Sequence, residues 1–327
     1  MKYRKFSNIC DVSEIGLGCW QIGWCWGDVS DIEARQLLRA AVDKGINFFD
    51  TSDTYGDGRS ERFLGELISS TSEKIFVSTK LGRRVRGTNY PKGYKHEPME
   101  EFVDRSLLNL GIDCIDLLQL HCPPSEIFLN KENFYMIDNL VKKGKIKHYG
   151  VSVHKVSDAM EAIQYPNVKS IQLVFNIFRH KPADSFFKEA KKKNIAIIAR
   201  GPLASGLLAG KINKDTKFAE NDHRNYNIHG NAFDIGDTFS GVNFEKGLQA
   251  VEELKELLPN GFSLSDLALK WILNHEEVSV VIPGAINKSQ VEANVNVSKL
   301  ESISVDLMNN IKSVYDKLIK TDVHNKW

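Results

Sequence analysis

The chain has 327 residues, 42% of them hydrophobic and 26% charged, and a formal net charge of +1. Such a chain can bury a substantial core, and it lacks the strongly basic balance expected of a partner of nucleic acid or of an anionic membrane surface. No apolar run approaches the ~18 residues of a membrane helix, and the N-terminal lysines are not followed by the apolar stretch of a secretory signal.

The elements are read in chain order. Residues 1–11 are expected to form a hairpin that closes the floor of a barrel. A first strand over 14–18 leads into a loop carrying Cys19, Trp20, Trp24, Cys25 and Trp26, whose three tryptophans suit an apolar or sugar-stacking wall. A helix over 31–44 follows, with Leu37, Leu38, Ala41 and Val42 on one face and Gly45 as its stop. Short β-branched runs at 47–50, 75–80, 115–120, 146–151, 170–174, 196–199 and 278–282 read as strands buried on both faces. Helical periods over 99–110, 130–143, 182–193 and 265–274 alternate with them, and Gly144 stops the second of these. The stretch 214–243 is rich in Gly, Asn and Asp and shows no helical period, so it is expected to be a long functional loop after the seventh strand. A last helical stretch spans 305–320.

Eight strands alternating with helices predict an α/β fold, a TIM (β/α)8 barrel forming a single domain over 1–327. A doubly wound sheet loses its main support because Gly16 and Gly18 lack a third glycine at dinucleotide-binding spacing. The five cysteines Cys10, Cys19, Cys25, Cys114 and Cys122 include no CxxC pair. They read as reduced thiols of a cytoplasmic protein, without the ligand spacing of a zinc site.

In such barrels the functional residues collect at the C-terminal ends of the strands. Asp50 ends the second strand with Tyr55 in the loop after it, Lys80 ends the third, and His121 follows the fourth. A tyrosine titrates near 10, and a neighbouring lysine favours its ionised form. An aspartate keeps that lysine charged, and a histidine orients a substrate oxygen. The set suits protonation of a carbonyl oxygen whose carbon accepts hydride. A Schiff-base lyase built on Lys80 is the competing chemistry.

The segments FFDTSDTYG at 48–56, VSTK at 77–80 and LLQLH at 117–121 resemble the signature blocks of aldo-keto reductases, in the family's order. The resemblance extends from Ile15 to about Asn294. It implies Asp50, Tyr55, Lys80 and His121 as a catalytic tetrad, with Tyr55 the general acid in reduction and base in oxidation. It implies NADP(H) as cofactor, with NAD possible, and a small carbonyl or alcohol substrate: an aldehyde, a ketone or a sugar. The cofactor would meet Cys19, Trp20 and Asp50. Ser152 of GVS at 150–152 and Gln172 of IQLVFN at 171–176 would hold the carboxamide, because Val153 replaces the family's asparagine. Arg200 stands where many relatives carry a stacking aromatic.

Gly201, Pro202, Leu203, Ser205 and Lys211 resemble the pyrophosphate loop, and Arg224 would be a further phosphate contact. Gly284, Gln290 and Asn294 resemble the adenosine end. Ile286 and Asn287 occupy positions that are often basic in NADP-preferring relatives, which leaves Lys288 as the nearest cation. The short C-terminal tail implies an open substrate pocket. A cofactor-sensing binding subunit with little turnover is the alternative function, and monomer or homo-oligomer are both compatible with the helix faces.

Overall fold

The computed structural model describes residues 1–23, 29–83 and 98–327. Strands β1 (Tyr3–Phe6) and β2 (Cys10–Ser13) pair antiparallel, with Arg4 opposite Val12 and Phe6 opposite Cys10. The hairpin therefore ends two residues later than residue 11, where Ser13 exchanges hydrogen bonds with Asn47. Phe6 and Val12 are fully buried and pack with Phe48, Leu117, Ile198 and Val280 inside the barrel floor.

The barrel wall comprises β3 (Leu17–Gly18), β4 (Phe48–Asp50), β5 (Phe76–Leu81), β6 (Ile115–His121), β7 (Ile146–Ser152), β8 (Val168–Val174), β9 (Ala196–Arg200) and β10 (Val278–Val281). These strands lie side by side in chain order, and every pairing is parallel. The ring closes through bridges of Ile15 to Val281 and Gly18 to Gly284. β3 is shorter than the expected 14–18 because its first half pairs with β10 instead of β4. The Gly16 amide donates to the Val281 carbonyl at 2.8 Å and the Val281 amide to the Glu14 carbonyl at 2.9 Å.

Local signals explain the helices around this wall. Asp31–Asp43 begins with a capping box in which Ser30 and Glu33 exchange hydrogen bonds, and it buries Leu37, Leu38, Ala41 and Val42. Gly45 then adopts φ 85°, a left-handed conformation that glycine enters without steric cost. Lys131–Lys142, Lys181–Lys192 and Leu264–Leu273 fall within a residue or two of expectation, and Met99–Leu110 matches it. The final stretch departs from a plain α-helix, since a π-turn at Tyr315–Ile319 interrupts it where Tyr315 stacks on His180 at 3.9 Å. Among the described residues no helix is long and apolar enough to cross a membrane.

Arg4 ties the hairpin to the last barrel unit. Its guanidinium donates to Glu14 Oε2 at 3.0 Å and to the carbonyls of His275, Val278 and Leu273 at 3.1, 2.8 and 2.5 Å. Truncation leaves a buried carboxylate and these carbonyls short of a donor. Arg4→Ala is therefore expected to lower stability by about 3 kcal/mol, read as a reduced urea midpoint at unchanged slope.

Candidate active site

Asp50, the last residue of β4, lies beside Lys80 in β5 and opposite Gln119 and Gln172 in β6 and β8. Lys80 is 1% exposed. Its ammonium donates to Asp50 Oδ1 at 2.5 Å, the Thr51 carbonyl at 2.7 Å and Tyr55 Oη at 3.3 Å. An ammonium has three N–H bonds, and these acceptors use them all. The second Asp50 oxygen accepts from Ser78, Gln119 and Gln172. The buried pair is thus hydrogen-bonded throughout, the condition under which burying two charges is tolerable.

The Tyr55 loop is fitted closely against the first barrel loop. A Cβ at Gly23 would come within 2.7 Å of the Tyr55 backbone, so only glycine fits there. Trp20 stacks on the Tyr55 ring with centroids 6.3 Å apart, and His121 meets that ring edge-on at 6.0 Å. Burial raises the Tyr55 pKa; Lys80 pulls it down without reversing the direction. Lysine alone would favour tyrosinate, but desolvation wins here and the phenol keeps its proton at neutral pH. Lys80 itself is shifted upward: burial opposes its charge, and Asp50 and Tyr55 outweigh that. It remains an ammonium, whereas a Schiff-base nucleophile needs a neutral, accessible amine.

His121 Nδ1 lies 3.1 Å from Ser52 Oγ. Burial, reinforced by Arg83, Lys80 and Arg200, holds its pKa well below the usual histidine value, so the ring is neutral.

A cavity of about 1450 Å³ opens over this group. Asp50, Tyr55 and His121 line it, while Lys80 stays beneath Tyr55. Cys19, Trp20, Ser152, Gln172, Arg200, Gly201, Pro202, Leu203, Ser205, Lys211, Arg224, Gly284, Gln290 and Asn294 also contribute to its wall. Every residue assigned from the sequence to the tetrad or to cofactor contacts, except Lys80, therefore lines one space. Trp24, Cys25 and Trp26 lie outside the described residues.

Several of these side chains are already engaged. Gln172 Nε2 donates to Asp50 at 2.7 Å and its Oε1 accepts from Ser152 at 3.2 Å, so the two candidate carboxamide contacts bind each other. Ser205 gives its hydroxyl to the long loop, accepting from the Phe239 amide at 3.0 Å and donating to the Asp237 carbonyl at 3.3 Å. Arg224 is paired with Asp222 at 2.5 Å and lies over the Phe218 ring. Asn287 caps the helix Lys288–Asn296 by accepting from the Gln290 amide, and Gln290 Oε1 accepts from the Ile286 amide at 2.9 Å. That capping role suits a short polar residue at 287 rather than a cation.

The stretch 214–243 contains only the short helix His223–Tyr226 and single turns at Ile235–Asp237 and Phe239–Gly241. It packs onto the barrel mouth, with Trp20 against His223 at 4.9 Å and Phe233 at 6.1 Å. It also delivers Asp237, which pairs with Arg200 and with His154 Nε2 at 3.0 Å. The sequence did not single out Asp237, His154 or Cys122. His154 and Cys122 follow the ends of β7 and β6, so a wider strand-end search finds them; Asp237 sits in an aperiodic loop and carries no such signal.

The description of the aldo/keto reductase family matches residues 14–316. The chain is 30% identical over 299 residues to aldo-keto reductase YhdN of Bacillus subtilis, covering 90% of this chain and 87% of that one. It is 28% identical over 306 residues to aldo-keto reductase yakc [NADP(+)] of Schizosaccharomyces pombe, covering 91% and 87%. Among solved structures, the glycerol dehydrogenase AKR11B4 of Gluconobacter oxydans superposes with a TM-score of 0.77 at 28% identity, covering 97% and 96%. The holo form of aldo-keto reductase AKR11C1 from Bacillus halodurans gives 0.76 at 26% identity, covering 96% of each chain. Sequence, fold and strand-end residues agree: the chain belongs to the aldo/keto reductase family.

Proposed function

We propose that the protein transfers hydride between NADP(H) and a small aldehyde, ketone or sugar, with Tyr55 as the general acid in reduction and the base in oxidation. The observation that carries this reading is the saturated Lys80 ammonium, one of whose bonds goes to the phenol oxygen on the cavity wall. The cavity also suits a dinucleotide. Its volume of about 1450 Å³ exceeds the ~300–1,000 Å³ of an ordinary ligand pocket. Gln21 Oε1 and Arg200 Nε belong to residues on its wall, and both atoms are buried without a hydrogen-bond partner among the described residues.

The bound cofactor supplies the hydride. Tyr55 gives its proton to the substrate oxygen, and Lys80 stabilises the tyrosinate left behind. Asp50 and Thr51 hold Lys80 charged and in place. Ser52 fixes the His121 ring through Nδ1 at 3.1 Å, and the neutral imidazole can steady the same oxygen. Ser152 and Gln172 hold the carboxamide once their mutual hydrogen bond opens, and the loop from Gly201 to Lys211 takes the pyrophosphate. The free cysteines Cys10, Cys19, Cys114 and Cys122 fit a cytoplasmic enzyme.

The test is a fluorescence titration with NADPH and NADH, followed by cofactor absorbance with a panel of small aldehydes. Binding with turnover supports the reductase. Binding without turnover across the panel favours the cofactor-sensing subunit, and failure to bind either nucleotide removes both readings. The same titration tests the adenosine end. Ile286 is 42% exposed, so a cation placed there meets no packing cost. Ile286→Lys is expected to tighten NADPH binding about 5- to 10-fold, the order of one exposed charge-assisted contact, with NADH unchanged.

A further inference from the structure

Cys122 follows His121 at the end of β6 and lines the same cavity. Its sulfur lies 3.4 Å from Ser152 Oγ and 3.7 Å from Arg200 Nη2, and the charge of His154 acts on it. His154, just past β7, presents Nε2 to Asp237 at 3.0 Å and has Nδ1 4.0 Å from Asp234. Asp237 in turn holds Arg200 and lies 3.9 Å from Arg83. The thiol thus rests against Arg200, and Arg200 and His154 share the Asp237 carboxylate, a cluster of the residue types in which a base activates a nucleophile and a third group orients the base. The proposed hydride transfer uses none of Cys122, His154 and Asp237.

We propose that Cys122 is a second reactive centre: a thiolate paired with the His154 imidazolium and steadied by Arg200, which adds covalently to α,β-unsaturated aldehydes and ketones that enter the cavity. The sulfur attacks the β-carbon and a C–S bond forms. The C=C pair moves onto the carbonyl oxygen as an enolate, and the proton held on His154 returns to the α-carbon. Thiol and enal are consumed one for one, and no oxidant or reductant is required.

The charges around the sulfur support this choice of cysteine. Burial pushes the Cys122 thiol up, but His154, Arg200 and Arg83 together bring it down to about 6. Burial works against the His154 charge, and Cys122 and Asp237 raise it to about 10. At neutral pH the balance then favours the thiolate. Burial shifts Cys10, Cys19 and Cys114 the other way. The ion pair persists between the pH at which Cys122 loses its proton and the higher pH at which His154 loses its own.

The test treats the whole protein with equimolar 2-butenal from pH 5 to 9, reading adducts by intact mass and peptide mapping. One adduct per chain is expected at Cys122, with a rate that rises through about pH 6 and is level from pH 7 to 9. His154→Asn is expected to slow labelling at pH 7 at least tenfold, and Cys122→Ser to abolish that adduct. A Cys122 rate that climbs tenfold per pH unit through pH 8, or adducts only at other cysteines, overturns the proposal. The wild-type pH profile decides even if His154→Asn does not fold. Mass is the readout, so the result is independent of whether Tyr55 supports turnover.

Discussion

Tyr55→Phe is expected to lower kcat for aldehyde reduction by about 100- to 10,000-fold, the usual contribution of a positioned general acid, while the affinity for NADPH changes little. Phenylalanine keeps the ring that Trp20 and His121 pack against. It removes the hydroxyl and leaves Lys80 with Asp50 and the Thr51 carbonyl as its remaining acceptors. The shape of the site therefore survives and the proton source does not. The pH profile gives an independent check. Reduction needs the protonated phenol, and burial places its pKa above the ordinary value of 10. The reductive rate should consequently show no tyrosine limb below pH 10, whereas oxidation, which needs tyrosinate, should keep rising with pH up to that value. Wild-type rates in both directions between pH 6 and 10 test this, and a reductive rate that collapses near pH 7 contradicts it.

Lys80→Met is the second large effect, and it combines stability with chemistry. The substitution strands the Asp50 carboxylate, 3% exposed, among Ser78, Gln119 and Gln172 without its counter-charge. Removing one partner of a buried pair typically costs about 3–5 kcal/mol, so chemical denaturation should show a loss of that order. Turnover should fall at least about 100-fold, because the tyrosinate is no longer stabilised. Adding Asp50→Asn removes the stranded charge. The double variant should recover much of the stability and none of the activity. Recovery of both would mean that Lys80 acts only by packing.

The barrel was legible because strands buried on both faces leave apolar runs that few other structures produce. The runs at 115–120 and 146–151 coincide with β6 and β7 to within a residue. The first strand was harder to delimit, since Glu14–Gly16 bonds to β10 while β4 is reached at Leu17 and Gly18, and no local pattern encodes that division. The strand-end rule brought Asp50, Tyr55 and His121 to one cavity wall, and it placed Lys80 correctly in β5.

Environment was less accessible from sequence than position. The lysine's effect on Tyr55 was foreseeable, but the larger effect of burial depends on atoms from several strands and appears only in three dimensions. Ser205 illustrates the same limit. Its place in a Gly/Ser loop suggested phosphate, yet its hydroxyl is committed to the Phe239 amide and the Asp237 carbonyl, partners more than thirty residues away. The cluster of Cys122, His154 and Asp237 likewise joins two strand ends to a loop with no periodicity.

The most direct measurement follows the hydride itself. NADPH carrying deuterium at the transferable C4 position is supplied with a small aldehyde, and the alcohol product is weighed by mass spectrometry. Hydride transfer at the Tyr55 site predicts an alcohol heavier by one deuterium at the former carbonyl carbon, and almost none of it with Tyr55→Phe. An unlabelled alcohol, or undiminished labelling with Tyr55→Phe, would contradict it.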